Sequence, residues 1–227
     1  MTIPPVARLD RRHVRRAETI EEIVDVAVQV MAEDGVAGLS LGEVARRVGI
    51  KAPSLYVYFP SKNAVYDAVF SRGWRQVGEE LSGYGEPEEA TDLRAYAGGL
   101  AATYVRWSIE HPVYAQLMGW RPVPGYQPSE AAYQPAIDVF ERGVTTMGRL
   151  QQLGLFRTDV SALELLRTWT VLTSGVVSQQ LSNAPDETFE EGTFAVMLPV
   201  LVDMFLAHFA PGQRPAPPRR GRHAHDR

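Results

Sequence analysis

The chain reads as all-α, and three features carry that reading. Apolar residues recur at spacings of three and four over most of its length, the period that places them on one face of a helix. Capping residues and helix-ending glycines and prolines punctuate those runs. No segment alternates apolar and polar residues as a half-buried strand does. About nine helices are expected in the 227 residues, as an N-terminal three-helix unit followed by a larger helical unit. Hydrophobic residues are 45% of the chain, so both can hold a core.

Residues 1–16 contain Pro4-Pro5 and five arginines against one aspartate, with no apolar period. They read as a disordered basic arm, either simply solvated or in contact with a polyanion such as DNA. The first helix is expected over 17–34, where Ile20, Ile23, Val24, Ala27, Val30 and Met31 share a face. Gly35 and Gly38 close it. Ser40 with Glu43 has the spacing of a capping box, so a second helix starts there. Leu41, Val44, Ala45 and Val48 form its apolar face, and Gly49 supplies the left-handed stop. Only Ile50 and Lys51 separate it from a third helix, which has Pro53 in its first turn and ends at Phe59-Pro60. Two short helices joined so tightly cross steeply, which is the geometry of a helix-turn-helix. Leu55 then packs inward while Lys51, Ala52, Ser54, Val57 and Tyr58 face outward.

Residues 17–62 therefore form the first unit. Ser61 caps a fourth helix that runs to about Leu81 on Val65, Tyr66, Val69, Phe70, Trp74 and Val77. The stretch 63–82 is a linking helix that starts in the first unit and ends outside it. The breaker at 82–87 opens the second unit, 83–211. A helix over 88–110 puts Leu93, Ala97, Leu100, Tyr104 and Trp107 on one face, and His111-Pro112 ends it. A short helix over 112–119 and a proline-rich loop over 121–128 follow. Ser129 caps a helix to about Leu153, with Tyr133, Ile137, Phe140, Val144, Met147 and Leu150 inward. Ser161 with Glu164 starts a helix to about Ser182, and Thr188 with Glu191 starts the last one, to about Ala210. Both are apolar nearly all round and need covering on two sides. Residues 212–227 read as a disordered Pro/Arg tail.

Composition excludes several functions. There is no cysteine, which removes disulfides, thiolate metal sites and cysteine nucleophiles. No apolar run approaches the ~18 residues of a membrane span, and the N-terminus shows no secretory pattern, so a cytoplasmic protein is expected. The five histidines are scattered; only His223 and His225 have metal-ligand spacing, and they sit in the tail. No metal, cofactor or catalytic residue is expected. The net charge of −4 argues against a nucleic-acid binder, but both ends are basic and the body between them is acidic. Local patches, not the total, attract phosphate.

The N-terminal third resembles the DNA-binding region of the TetR family of transcriptional regulators. The resemblance rests on the helix over 17–34, the Gly35-Val36-Ala37-Gly38-Leu39-Ser40 turn, Val44-Ala45-Arg46-Arg47-Val48-Gly49, and Leu55-Tyr56-Val57-Tyr58-Phe59-Pro60-Ser61-Lys62. It implies that Ser40, Tyr56 and Lys62 meet phosphates, and that Lys51, Ala52, Pro53, Ser54 and Tyr58 lie near base edges or the adjoining backbone. These residue types suit those tasks: Lys51 can donate to guanine, Ala52 can meet a thymine methyl, and a phenol or ammonium can donate to phosphate. Tyr58 reads equally well as part of the small core. The Glu110-His111-Pro112-Val113-Tyr114-Ala115-Gln116-Leu117-Met118 junction is also similar to regulatory units of that family.

There the resemblance implies a pocket, for which Tyr104, Trp107, His111, Tyr114, Met118, Trp120, Tyr133, Phe140 and Trp169 are the ligand-binding candidates, with Met147 beside them. It also implies a homodimer built on the last two long helices. The expected function is a DNA-binding regulator, a repressor released from a palindromic operator by a small apolar or aromatic effector. Two alternatives stand beside it: a DNA-binding regulator governed by a partner protein, and an α-helical enzyme using His111.

Overall fold

Nine α-helices and two short 3-10 turns, with no strand, make up residues 5–212, which the computed structural model describes, with side chains from residue 13 onward. The expected tail from residue 213, including His223 and His225, lies outside the described residues, as do residues 1–4.

Helix α1 spans Pro5–Asp34. It starts well before residue 17, so the reading of 5–16 as disordered is corrected. The physical reason is in the sequence: Pro5 occupies a first helical position, where its missing N–H costs nothing, and neither glycine nor proline interrupts residues 6–34. Helix α2 spans Leu41–Val48 and α3 only Ala52–Leu55. The third helix was expected to reach Phe59; instead the backbone continues through tight turns, with the Tyr58 and Phe59 N–H groups both donating to the Leu55 carbonyl at 2.9 Å. Helix α4, Lys62–Ser82, is capped as expected by Ser61, whose hydroxyl accepts from the Ala64 N–H at 3.1 Å.

Helix α5 spans Leu93–Glu110, beginning later than residue 88. The Asp92 carboxylate caps it through the Ala95 N–H at 3.0 Å, while the Thr91 hydroxyl takes the Glu88 N–H into a separate turn. Helix α6 is Pro112–Gly119 and α7 is Glu130–Gln152. In α7 the expected inward positions Tyr133 and Phe140 are 49% and 42% exposed. The buried face carries Ala132, Ala136, Met147 and Leu150. Close approach to its neighbours selects small residues: a Cβ on Gly143 would lie 2.8 Å from Leu166, and one on Gly78 of α4 2.7 Å from Val139.

Helix α8 spans Ala162–Asn183 and α9 Leu198–Phe209, with a 3-10 turn at Ala195–Met197 before it. The last helix thus begins about three turns after Thr188, whose hydroxyl accepts the Glu191 N–H at 3.4 Å but closes only a local turn. Competing acceptors explain this. The buried Gln180 carboxamide oxygen takes the Phe194 and Ala195 N–H groups at 2.9 and 3.2 Å, and Glu187 takes the N–H and the hydroxyl of Thr193. These donors are satisfied without a helix.

The core of the first three helices continues into the second unit. One buried cluster runs from Ile23, Val30 and Leu55 through Tyr66 and Phe70 to Trp107, Tyr114 and Tyr126. Helix α4 is the shared element. A Cβ on its Gly73 would lie 2.6 Å from the Met118 sulfur, so α4 and α6 touch backbone to side chain. No described helix is long and apolar enough to cross a membrane.

Candidate nucleic-acid interface

The helix-turn-helix is built from caps and two buried anchors. Ser40 Oγ accepts from the Glu43 N–H at 3.4 Å and starts α2. Gly49 ends it at φ 78°, a conformation that suits glycine, and the Ile50 N–H closes the cap on the Ala45 carbonyl at 3.0 Å. Leu55 is fully buried and Phe59 nearly so, which pins the segment between them into the buried cluster that α1, α2 and α4 share. The residues between and before those anchors are presented outward: Lys51, Ala52, Pro53 and Ser54 are exposed, Tyr56 is 52% exposed and Val57 68% exposed. Ser40 is exposed on the preceding helix.

Lys62 and Tyr58 are less free. The Lys62 ammonium donates to the Ala37 carbonyl at 3.1 Å and lies over the Tyr66 ring at 5.6 Å, half-buried at the start of α4. Tyr58 is half-buried, with the Arg16 guanidinium over its ring at 5.1 Å. Arg16 also donates to the Val57 carbonyl at 3.3 Å. Sequence reasoning missed this arginine because it began α1 one residue later; the signal was the helical spacing of the arginines before it.

Arg46 and Arg47 of the head are occupied. Glu43 accepts from Arg46 at 2.7 and 2.8 Å and from Arg47 at 2.6 Å, and Arg47 reaches Glu33 at 2.6 and 2.7 Å. The Glu43 carboxylate therefore serves the arginines as well as standing in the capping position. Arg46, then Arg47, holds its carboxyl down to about 2. A lowered pKa gives stability that is full above the ordinary carboxylate range and lost as pH falls from 4.5 towards about 2. The melting temperature of the head is expected to drop across that window, and Glu43→Gln to flatten the drop. An unchanged pH profile in E43Q would remove the cluster from the stability of the fold.

Helix α4 connects this face to the rest of the chain. Arg72 pairs with Glu21 and, at 2.5 Å, with Asp25 of α1, and its guanidinium also reaches the Tyr114 hydroxyl of α6 at 3.4 Å. Asp67 accepts from the Tyr126 hydroxyl at 2.9 Å and from the Ser129 N–H at 3.2 Å, which fastens the proline-rich loop to α4. Burial pushes the Tyr126 phenol up, so it remains a donor.

The sequence-predicted pocket residues divide into two sets. Trp107, His111 and Tyr114 meet: the Trp107 and His111 rings stack at 4.9 Å and Tyr114 lies 5.9 Å from Trp107. Tyr104 and Met118 pack against the same cluster. Trp120, Tyr133 and Phe140 are surface-exposed, and Trp169 packs on Phe205 at 5.1 Å in a different cluster. The structure also has two clefts lined by other residues. One, of about 500 Å³, includes Gln151, Phe156 and Pro211. The other, of about 450 Å³, includes Ala95, Gly98, Phe189 and Val202.

Comparison with known proteins agrees with this geometry. Residues 23–69 match the family model of the bacterial regulatory proteins, tetR family. The chain is 33% identical over 107 residues to the HTH-type transcriptional repressor DrrR1 of Streptomyces coeruleorubidus, a stretch that covers 47% of this chain and 38% of that protein. The chain spans about half or less of the length of the curated relatives it matches. Among solved structures, a protein of unknown function from Rhodococcus sp. RHA1 shares the fold with a TM-score of 0.70 at 21% identity, over 85% of this chain and 95% of that one. The regulator FadR from Bacillus subtilis, solved in complex with stearoyl-CoA, has a TM-score of 0.65 at 13% identity, over 82% and 97%. The buried anchors, the outward Lys51–Ser54 segment and the matched stretch coincide, and residues 23–69 are similar to the tetR family of bacterial regulatory proteins.

Proposed function

We propose that the protein is a homodimeric, cytoplasmic transcriptional repressor that leaves a palindromic operator when a small apolar or aromatic effector binds its second unit. The observation that carries the DNA-binding part is the exposure of Lys51–Ser54 just before the buried anchor Leu55 and of Tyr56 between it and Phe59. A side-chain row held outward by a rigid scaffold is what major-groove reading needs. Ser40, Tyr56 and Lys62 hold phosphates in this reading, and Lys51, Ala52, Pro53, Ser54 and Tyr58 face the bases or the adjoining backbone. Lys51 is the one cation at the reading positions, so specificity rests partly on apolar contact and DNA shape.

The second copy is supported by apolar side chains left in solvent on the last two helices and the turn before α9. Val171 is 69% exposed, and Val196, Met197, Val200 and Met204 are 48–67% exposed. Such a concentration on one end of a chain suits a partner surface. Effector control is supported by the aromatic group of Trp107, His111 and Tyr114, which touches α4 through Arg72 and Gly73. FadR of Bacillus subtilis, with the same fold, is solved with an acyl-CoA bound. An effector that parted α6 from α4 would change the setting of the head.

Tyr56→Ala is expected to weaken DNA binding about tenfold or more on every sequence, and Lys62→Ala to lower the slope of log affinity against log salt by roughly 0.9. Fluorescence anisotropy with labelled duplexes at several salt concentrations measures both. Parent-like binding by both variants would refute the assignment. A second reading keeps the head and replaces the effector by a partner protein. Its support is that Trp107 and Tyr114 are packed into the core and that the clefts lie elsewhere. Melting shifts with long-chain acyl and aromatic compounds separate the two: a shift that also releases DNA supports the effector.

A further inference from the structure

We infer that Tyr126, in the proline-rich loop of the second unit, is a positioning residue for DNA reading: packed against Tyr66 of α4, it holds the Lys62 ammonium where a phosphate is met. The inference rests on the reading of Lys62 as a phosphate contact and adds to it the means by which the second unit sets that contact. Lys62 and Tyr66 stand four residues apart on α4, so their side chains share a face. Together they grip two successive carbonyls of the Val36–Gly38 turn. The Tyr66 hydroxyl donates to the Val36 carbonyl at 2.9 Å, and the Lys62 ammonium donates to that of Ala37 at 3.1 Å. The ammonium also lies over the Tyr66 ring at 5.6 Å, within reach of a cation–π attraction. An ammonium carries three N–H donors. The bond to Ala37 engages one of them, which fixes the group in place and leaves the others for a phosphate.

Tyr66 is buried, and the ring that packs on it comes from the second unit. The Tyr126 ring, itself buried, lies 5.2 Å from it, centroid to centroid. Gly125 at φ 76° and a turn closed by the Tyr126 N–H on the Val123 carbonyl at 3.2 Å bring that ring back towards α4. Asp67, next to Tyr66, then fastens the loop by accepting from the Tyr126 hydroxyl at 2.9 Å and the Ser129 N–H at 3.2 Å. Burial pushes both phenols up, so each keeps its proton and remains a donor. Packing alone would be served by phenylalanine at both positions; the hydroxyls tie one ring to the turn before α2 and the other to α4. An event in the second unit that draws Tyr126 off Tyr66 loosens the Lys62 side chain and weakens reading, with the outward Lys51–Ser54 row unchanged.

The test is a double-mutant cycle on the full chain: the parent, Tyr126→Leu, Lys62→Ala, and both together. The probe is a duplex enriched by the parent from a random pool, read by fluorescence anisotropy at several salt concentrations. In the parent background Tyr126→Leu is expected to weaken binding about fivefold and to lower the salt slope. In the Lys62→Ala background the same change is expected to alter affinity by less than about twofold, because the contact it positions is already gone. A loss of the same size in both backgrounds makes Tyr126 a packing residue only and overturns the inference, as does parent-like binding by Tyr126→Leu. If Tyr126→Leu melts below the assay temperature, Tyr126→Phe takes its place, since it keeps the ring and removes only the tether to Asp67. A loss of about twofold that disappears with Lys62→Ala then supports the inference, and an equal loss in both backgrounds, or none, overturns it. Parent-like binding by Lys62→Ala at every salt concentration overturns the phosphate reading itself, and the inference with it; a failed cycle in which Lys62→Ala still weakens binding leaves that reading standing.

Discussion

Replacing Val171 and Met204 together with glutamate is expected to give a folded monomer that has lost most of its affinity for DNA. Both side chains are largely in solvent, 69% and 60% exposed, so the isolated chain loses little by carrying charges there. The proposed dimer loses much more. Two glutamates per protomer place four carboxylates in an apolar contact, and a charge is expensive to desolvate. A weakening of about 1000-fold, or ~4 kcal/mol, is expected in the dimer dissociation constant. Two heads joined in a dimer read two half-sites at once; a monomer reads one. Sedimentation of parent and variant at micromolar concentration, with circular dichroism to check folding, decides the matter. A variant that sediments as the parent does would move the dimer interface away from α8 and α9.

The second large effect is on stability. Gln180→Leu is expected to cost about 3–5 kcal/mol. Gln180 is fully buried and uses both ends of its carboxamide. The nitrogen donates to the Ala184 carbonyl at 2.7 Å and to Glu187 at 3.2 Å; the oxygen accepts from the Phe194 and Ala195 N–H groups. Leucine has a similar size and leaves those backbone groups buried without partners, each costing about 1–3 kcal/mol. The loss falls on the turn that leads into α9, so dimerisation weakens with it. Chemical denaturation of parent and variant measures the difference. A change below about 1 kcal/mol would show that water or a local shift replaces the carboxamide.

Gln180 also shows where sequence reading stops. The period of α8 was plain, but a glutamine on its buried side looks like any polar interruption until the 187–195 segment folds back onto it. For the same reason Thr188 and Glu191 read as the start of a helix. Capping chemistry is local, while the acceptor that satisfies Phe194 and Ala195 comes from α8 and that of Thr193 from Glu187 in the preceding loop. Where a cap and its helix are contiguous, as at Ser40, Ser61, Ser129 and Ser161, the start was legible to the residue.

The candidate site was legible to a similar degree. Leu55 and Phe59 as scaffold, and Lys51–Ser54 and Tyr56 as the outward row, followed from spacing and from the family resemblance. The Arg16 contact did not, because it depends on how α1 crosses the turn after α3. The pocket set was the least legible. Aromatic residues at helical spacing fill cores and pockets alike, and only the packing distinguishes Trp107, which is buried against His111, from Trp120 and Phe140, which face solvent. Tyr133 shows how a helix that packs closely turns its small residues inward and its large ones to the edge.

The most direct measurement is selection of duplex DNA from a random pool by the full chain, with the Tyr56→Ala chain run in parallel. The structure-based reading predicts enrichment of an inverted repeat by the parent and loss of that enrichment by the variant. A pool that stays random with the parent, or that both proteins enrich alike, would contradict a reading head built on Lys51–Ser54 and Tyr56.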